Sequence, residues 1–319
     1  MADTSELRRS PLLTAAPVRE LNVEDLQLPS INPAEPTSAD TVPATRELII
    51  ASDNAILEQT KLLLSDGFAG VILTGPPGTS KTWYAEQLAL ALADGDDSRI
   101  RFIQFHPSYQ YEDFVEGYIP DAAGGFELVD KHLMEMCRIA GENPGKLCVL
   151  IIDELSRSDP GRVFGEGLTY VEVSKRNQTF RLSSGRPVSI PDNLIFLATM
   201  NPLDRGVDEV DIAFERRFAK IGMDPDPVLL RQFLEGNGME ASLTDRVLRF
   251  FEILRYHENP YCRIGHAYFR AVRDLEGLER LWRYQLRFAL MKATRPDVSA
   301  FERLEAEWNR LVLGREQSA

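Results

Sequence analysis

The chain has 319 residues, with 36 Lys and Arg against 49 Asp and Glu, and a formal net charge of −13. A hydrophobic share of 44% suffices for one large or two modest cores, while the acidic excess argues against a surface built for non-specific duplex binding, which draws on surplus cations. Nothing resembles a run of about 18 apolar residues that would cross a membrane, MADTSELRRSPLL lacks the apolar centre of a signal peptide, and Cys137, Cys148 and Cys262 share no metal-ligand spacing. These features predict a cytoplasmic protein with reduced thiols.

Residues 1–45 are rich in Pro, Ser, Thr, Ala and acids without a sustained period, which predicts a flexible arm or docking tail. Over 46–67 the pattern becomes helical, with Ile56, Leu57, Leu62, Leu63 and Leu64 on its apolar face. The run VILTGPPGTSKT at 71–82 follows: an apolar β-branched strand, a Gly/Pro turn, and Lys81-Thr82 opening a helix over 83–93. Strand, loop and helix in that order are the context of a phosphate-binding P-loop. Gly75, Pro76, Pro77, Gly78, Thr79 and Ser80 would wrap backbone N–H groups around a β-phosphate at a helix N-terminus. Lys81 would reach the β/γ-phosphates and Thr82 would ligate Mg²⁺. The usual string is GxxxxGK[ST]; Ser80 stands where the second glycine is expected, which leaves open a site that binds nucleotide and hydrolyses it poorly.

Residues 100–105 (IRFIQF) read as a second buried strand, followed by HPSYQYEDFVEG at 106–117, either a binding loop or a packed aromatic elbow. Residues 146–152 (KLCVLII) are wholly apolar, as in an interior parallel strand, and deliver Asp153-Glu154 at their end. This predicts a Walker B pair, Asp153 holding Mg²⁺ and Glu154 polarising the attacking water. A helix over 163–173 and a hairpin over 180–191 (FRLSSGRPVSIP) precede a fourth strand, NLIFLAT at 193–199. Asn201, just past that strand, is placed to touch the γ-phosphate or its water. The run IAFERRF at 212–218 ends a helix on Arg216-Arg217, candidates for an arginine finger lent to a neighbouring subunit. From 225 onward only amphipathic helices are expected, with Trp282, Tyr284 and Phe288 in their core.

Together GPPGTSKT, QFHPSYQYEDFVEG, IIDELSR, SGRPVSIP with NLIFLATMN, Asp204-Arg205, ERRF and RIGHAYF, in this order over roughly 46–270, resemble the AAA+ ATPases. The resemblance is to their McrB-like branch, the motor subunits of modified-cytosine restriction systems. It implies an α/β fold: an AAA+ core with a parallel sheet over 46–224 and a small all-α lid over 225–319. It also implies ATP or GTP with Mg²⁺ at subunit boundaries, a ring that is typically a hexamer, and a separately encoded McrC-like or other nuclease partner. DNA would be reached through that partner or the ring pore. In that branch the run after the sensor strand reads Asn-Thr-Ala-Asp-Arg and goes with guanine nucleotides. Here Asn201-Pro202-Leu203-Asp204-Arg205 matches at its ends and not in its middle, so Asp204 is a nucleotide-site candidate without settling the base. The branch's DNA-reading domain normally precedes the motor, where this chain has its short arm. The alternatives are a MoxR-like chaperone ATPase and a regulatory scaffold with weak turnover.

Overall fold

The computed structural model describes residues 47–121, 124–203 and 210–315, all within one compact unit, Thr45–Ala319. The arm at 1–45 and Asp204-Arg205 lie outside the described residues.

The apolar runs become strands because they are rich in β-branched and other apolar residues, and the three central ones are buried on both faces, the condition of an interior parallel sheet, while the run at 100–104 lies at the edge and is only half-buried. The strands are β1 (Gly70–Thr74), β2 (Ile100–Gln104), β3 (Glu116–Pro120), β4 (Phe126–Asp130), β5 (Cys148–Asp153), β6 (Phe180–Arg181), β7 (Pro187–Val188), β8 (Leu194–Met200) and β9 (Phe218–Gly222). Five of them form one parallel sheet in the order β2-β5-β8-β1-β9. β8 therefore separates the phosphate-loop strand from the acidic-pair strand, and the crevice beyond their carboxyl ends is where ligands bind in open α/β sheets.

Early in the chain lie α1 (Ala55–Ser65), capped by the Asn54 side chain on the Ile56 and Leu57 N–H groups, and α2 (Lys81–Leu92). The helical prediction over 46–67 thus starts too early, and Leu62 is exposed rather than part of the packed face. Next come α3 (Tyr111–Phe114) and α4 (His132–Glu142), then α5 (Pro160–Phe164) and α6 (Gly167–Val171) where one helix was expected, and α7 (Ile212–Glu215). The aromatic run at 106–117 is a packed elbow. Phe105 stacks on Tyr109 at 4.8 Å, and Phe114 packs against Phe105 at 5.8 Å and Phe164 at 4.7 Å.

Two antiparallel hairpins leave the sheet, β3-β4 and β6-β7. Buried Glu116 ties them together: its carboxylate accepts from the Ser184 N–H at 3.2 Å, the Ser184 hydroxyl at 3.0 Å and Arg186 at 3.2 Å, and Arg186 also pairs with Asp130. β9 has no counterpart in the sequence reading. It is an edge strand of β1 whose exposed Lys220 interrupts its apolar pattern, a common device for blunting a sheet edge.

Beyond β9 the elements are α8 (Pro227–Gly236), α9 (Ala241–Arg255), α10 (Leu275–Leu281), α11 (Arg287–Ala293) and α12 (Val298–Glu307). They share their own apolar cluster, centred on Trp308, which stacks on Trp282 at 4.7 Å and meets Phe250 edge-on at 5.0 Å. Trp282 is core as expected. Tyr284 and Phe288 are not: they are 66% and 60% exposed, on the face of that stretch turned away from the cluster.

Candidate nucleotide site

The phosphate loop is fixed by what its neighbours leave room for. A side chain at Gly75 would place its Cβ 2.2 Å from the Met223 carbonyl, and one at Gly78, whose φ is +78°, would meet the Tyr268 ring at 2.6 Å. The buried Thr79 hydroxyl donates to the Pro76 carbonyl at 3.0 Å and tightens the turn. The Lys81 ammonium donates to the Gly75 and Pro76 carbonyls at 2.9 and 2.8 Å, so it lies along the inside of the loop it follows. α2 begins at Lys81 and presents its positive end to the same place.

The acidic pair closes on this loop. Buried Asp153, the last residue of β5, accepts at Oδ1 from the Thr82 hydroxyl at 2.8 Å and from the Thr199 hydroxyl at 2.6 Å. The same Thr199 oxygen accepts the Glu154 N–H at 3.1 Å. Glu154 sits in the left-handed region at φ 54°, which turns its half-buried carboxylate out of the strand direction; Arg157 stands 3.4 Å from it. Thr82 and Asp153 thus converge as two hard oxygen donors, the small protein contribution that Mg²⁺ accepts when phosphate and water complete its shell. Among the described residues no group of three or more His, Cys, Asp or Glu side chains is arranged to hold a metal ion.

Thr199 was not singled out from the sequence. The available signal was a lone hydroxyl near the end of an otherwise apolar strand. Asn201, just beyond β8, is buried between the P-loop and acidic-pair strands, and its Oδ1 accepts the Leu203 N–H at 3.1 Å.

Residues Gly75, Pro76, Pro77, Gly78, Thr79, Ser80, Lys81, Thr82, Asp153, Glu154 and Asn201 therefore gather at the carboxyl end of the sheet. Arg216 and Arg217 do not. The Ala69 N–H donates to the Arg217 carbonyl at 2.9 Å and Phe218 pairs with Gly70, which puts both arginines at the opposite end of β1, about 16 Å from the loop at the usual strand rise. They also differ from each other. Arg217 is buried, donates to the Ala213 carbonyl, and has Glu172 at 3.9 Å, with burial pulling its guanidinium below the ordinary arginine range; Arg216 is exposed.

The helical region reaches the loop through the segment RIGHAYF. Gly265 N–H donates to the Pro77 carbonyl and Ala267 N–H to the Gly78 carbonyl, both at 2.9 Å. Fully buried His266 stands 3.1 Å through Nε2 from the Ser80 hydroxyl, and its Nδ1 accepts the Asp226 N–H at 3.2 Å. Burial pulls the imidazole below its usual titration range, and the Asp226 carboxylate opposes this. Beside it, a cleft of about 450 Å³ is lined by Ile56, Thr79, Tyr84, Asp224, Asp226 and His266 among others, a size that suits a nucleoside.

Residues 70–218 match the family described as AAA domain (dynein-related subfamily). The chain is 34% identical over 215 residues to the type IV methyl-directed restriction enzyme EcoKMcrB subunit of Escherichia coli K12, covering 62% of this chain and 47% of that protein. It is 24% identical over 188 residues to the type II restriction enzyme BsuMI component YdiS of Bacillus subtilis 168, covering 46% and 55% respectively. The chain thus spans about half the length of each of these relatives. A crystal structure of a candidate ATPase from Cytophaga hutchinsonii overlaps 81% of this chain and 75% of its own at 16% identity and a TM-score of 0.36, too distant to add to the argument. No described helix is long and apolar enough to cross a membrane.

Proposed function

We propose, from the AAA domain matched over residues 70–218 and the geometry of the site, that this chain is a McrB-like AAA+ motor, an Mg²⁺-dependent P-loop NTPase that hydrolyses ATP or GTP at sites shared between the subunits of a ring. The observation that carries the reading is the meeting of Lys81, Thr82, Asp153, Glu154 and Asn201 at one end of the sheet while exposed Arg216 stands at the other. Lys81 and the loop N–H groups hold the β- and γ-phosphates, and Asn201 orients the γ-phosphate or its water. Glu154 polarises that water as it attacks phosphorus and the bond to the β-phosphate oxygen breaks. Thr82 and Asp153 would hold Mg²⁺, which supplies charge neutralisation on the β/γ oxygens. Arg216 is too far from its own loop to reach the same phosphate, so it serves the neighbouring subunit.

We further propose that the motor acts with a separately encoded nuclease in restriction of foreign DNA. Support comes from the relatives, whose names make them a subunit and a component of restriction enzymes, and from the net charge of −13, which disfavours duplex binding by this chain alone. Mixing tests the shared site. Arg216→Ala and Glu154→Gln chains should each be inactive, and together should regain part of the wild-type turnover, because some mixed boundaries pair an intact Glu154 with an intact Arg216. No recovery in demonstrably mixed assemblies would remove the trans arginine from the account.

A further inference from the structure

The position before the P-loop lysine ordinarily carries glycine, since the chain there adopts a left-handed conformation that side chains resist. Ser80 holds that conformation at φ 63°. It caps α2 without a side-chain bond to the helix, so its hydroxyl is not spent on the helix N-terminus. The hydroxyl instead faces His266 of the lid, 186 residues away in sequence. The ring's protonation pattern follows from its two neighbours: Nδ1 accepts the Asp226 N–H, so in the neutral ring the proton sits on Nε2 and is donated to Ser80 Oγ.

On either side of this bond the lid's backbone takes the loop's outward carbonyls, Gly265 on Pro77 and Ala267 on Gly78. A phosphate loop works by turning its N–H groups toward the anion, which leaves the carbonyls to be satisfied from behind. The lid supplies those partners, and Tyr268 fills the space beside Gly78.

We propose that His266 is a positioning residue for nucleotide binding, acting through Ser80: the hydrogen bond holds the serine in its left-handed conformation, so that the N–H face of the loop is set only while the lid is seated. Serine in place of glycine thereby makes the loop dependent on a lid contact that a glycine would not require. The inference rests on the P-loop reading above, and its test separates the two.

Dissociation constants for Mg²⁺ with mant-ADP and mant-GDP, and melting temperatures, are measured on the full chain as wild type, Ser80→Gly, His266→Ala and the double variant, with Lys81→Ala alongside. Ser80→Gly puts at this position the residue that P-loops ordinarily carry and supplies the second background of the cycle. His266→Ala should weaken binding, and should weaken it less in the Ser80→Gly background, the difference being about two- to tenfold as expected for one hydrogen bond. His266→Gln, whose amide N–H can stand where Nε2–H does, should keep most of the affinity. Equal losses in both backgrounds, with Lys81→Ala abolishing binding, would overturn the positioning role and leave the nucleotide site intact; binding unaffected by Lys81→Ala would overturn the site itself. If His266→Ala does not fold, the same cycle is run with His266→Phe, which fills the ring's space without an N–H, and Ser80→Ala. There the two losses should be non-additive, and additivity overturns the proposal.

Discussion

Replacing Thr199 by valine keeps the shape of a side chain that is 2% exposed and removes one oxygen that serves two bonds. That oxygen donates to Asp153 Oδ1 at 2.6 Å and accepts the Glu154 N–H at 3.1 Å. A lost hydrogen bond to a charged group costs about 1.5–3 kcal/mol and an orphaned buried N–H about 1–3 kcal/mol, while burial of the added methyl returns roughly 1 kcal/mol. The net expectation is a loss of about 2–4 kcal/mol, or several degrees in melting temperature. Turnover should fall further than stability suggests. Glu154 is held in a left-handed conformation by the bond that is lost, and a displacement of about 1 Å in a catalytic group can cost on the order of 100-fold. Nucleotide binding should change little, because Thr199 has no bond to the phosphate loop among those described. The assays are thermal unfolding, nucleotide affinity and steady-state hydrolysis at saturating nucleotide. A variant within about 0.5 kcal/mol and twofold of wild type would refute the claim that Thr199 organises the acidic pair.

Three other expectations follow from separate features. Arg217→Ala should lower the melting temperature, since the side chain is buried and bonded to the Ala213 carbonyl, whereas Arg216→Ala should leave it unchanged; the reverse ordering in a thermal melt would contradict the division between them. His266 titrates below its ordinary 6.5 in the folded chain because it is buried, so its contribution to stability is present above about pH 6.5 and is lost as pH falls through the folded value. Asp226, Asp224, Arg255 and Tyr84 line the same cleft and are present in wild type and variant alike, so the comparison is with His266→Gln: wild type should lose more stability than the variant between pH 7.5 and 5.5, and parallel losses would remove the histidine as the cause. The purified chain should bind duplex DNA weakly at about 0.15 M salt, with no preference for methylation and no cleavage, and tight methylation-dependent binding would show that target choice resides in this chain.

Much of the candidate site's geometry could be read from the sequence because its residues are local. VILTGPPGTSKT and KLCVLIIDE each carry strand, turn and functional group within one continuous run, and the parallel sheet brings the two ends together without further instruction. The misses are non-local. β9 is short and interrupted by Lys220, and it is a strand only because β1 offers it an edge. The β3-β4 hairpin is held by Glu116, whose partners Ser184 and Arg186 lie 68 and 70 residues away. Tyr284 and Phe288 looked like core because aromatic residues at helical spacing usually are, yet the apolar cluster is filled by Trp282, Trp308 and Phe250 on other faces. The arginine pair reads as one feature in sequence and separates in three dimensions, where one side chain is buried and its neighbour is exposed. Ser80 looked like a defect in a motif until its partner from the lid was visible.

The central claim is that Glu154 polarises the water that attacks nucleotide held by Lys81 and the loop. It is tested most directly by hydrolysis of ATP and of GTP by wild type, Glu154→Gln and Lys81→Ala, with binding measured in parallel. The account predicts that Glu154→Gln binds nucleotide as wild type does and loses about 10² to 10⁴ in turnover, while Lys81→Ala loses binding. Undiminished hydrolysis by Glu154→Gln would contradict it.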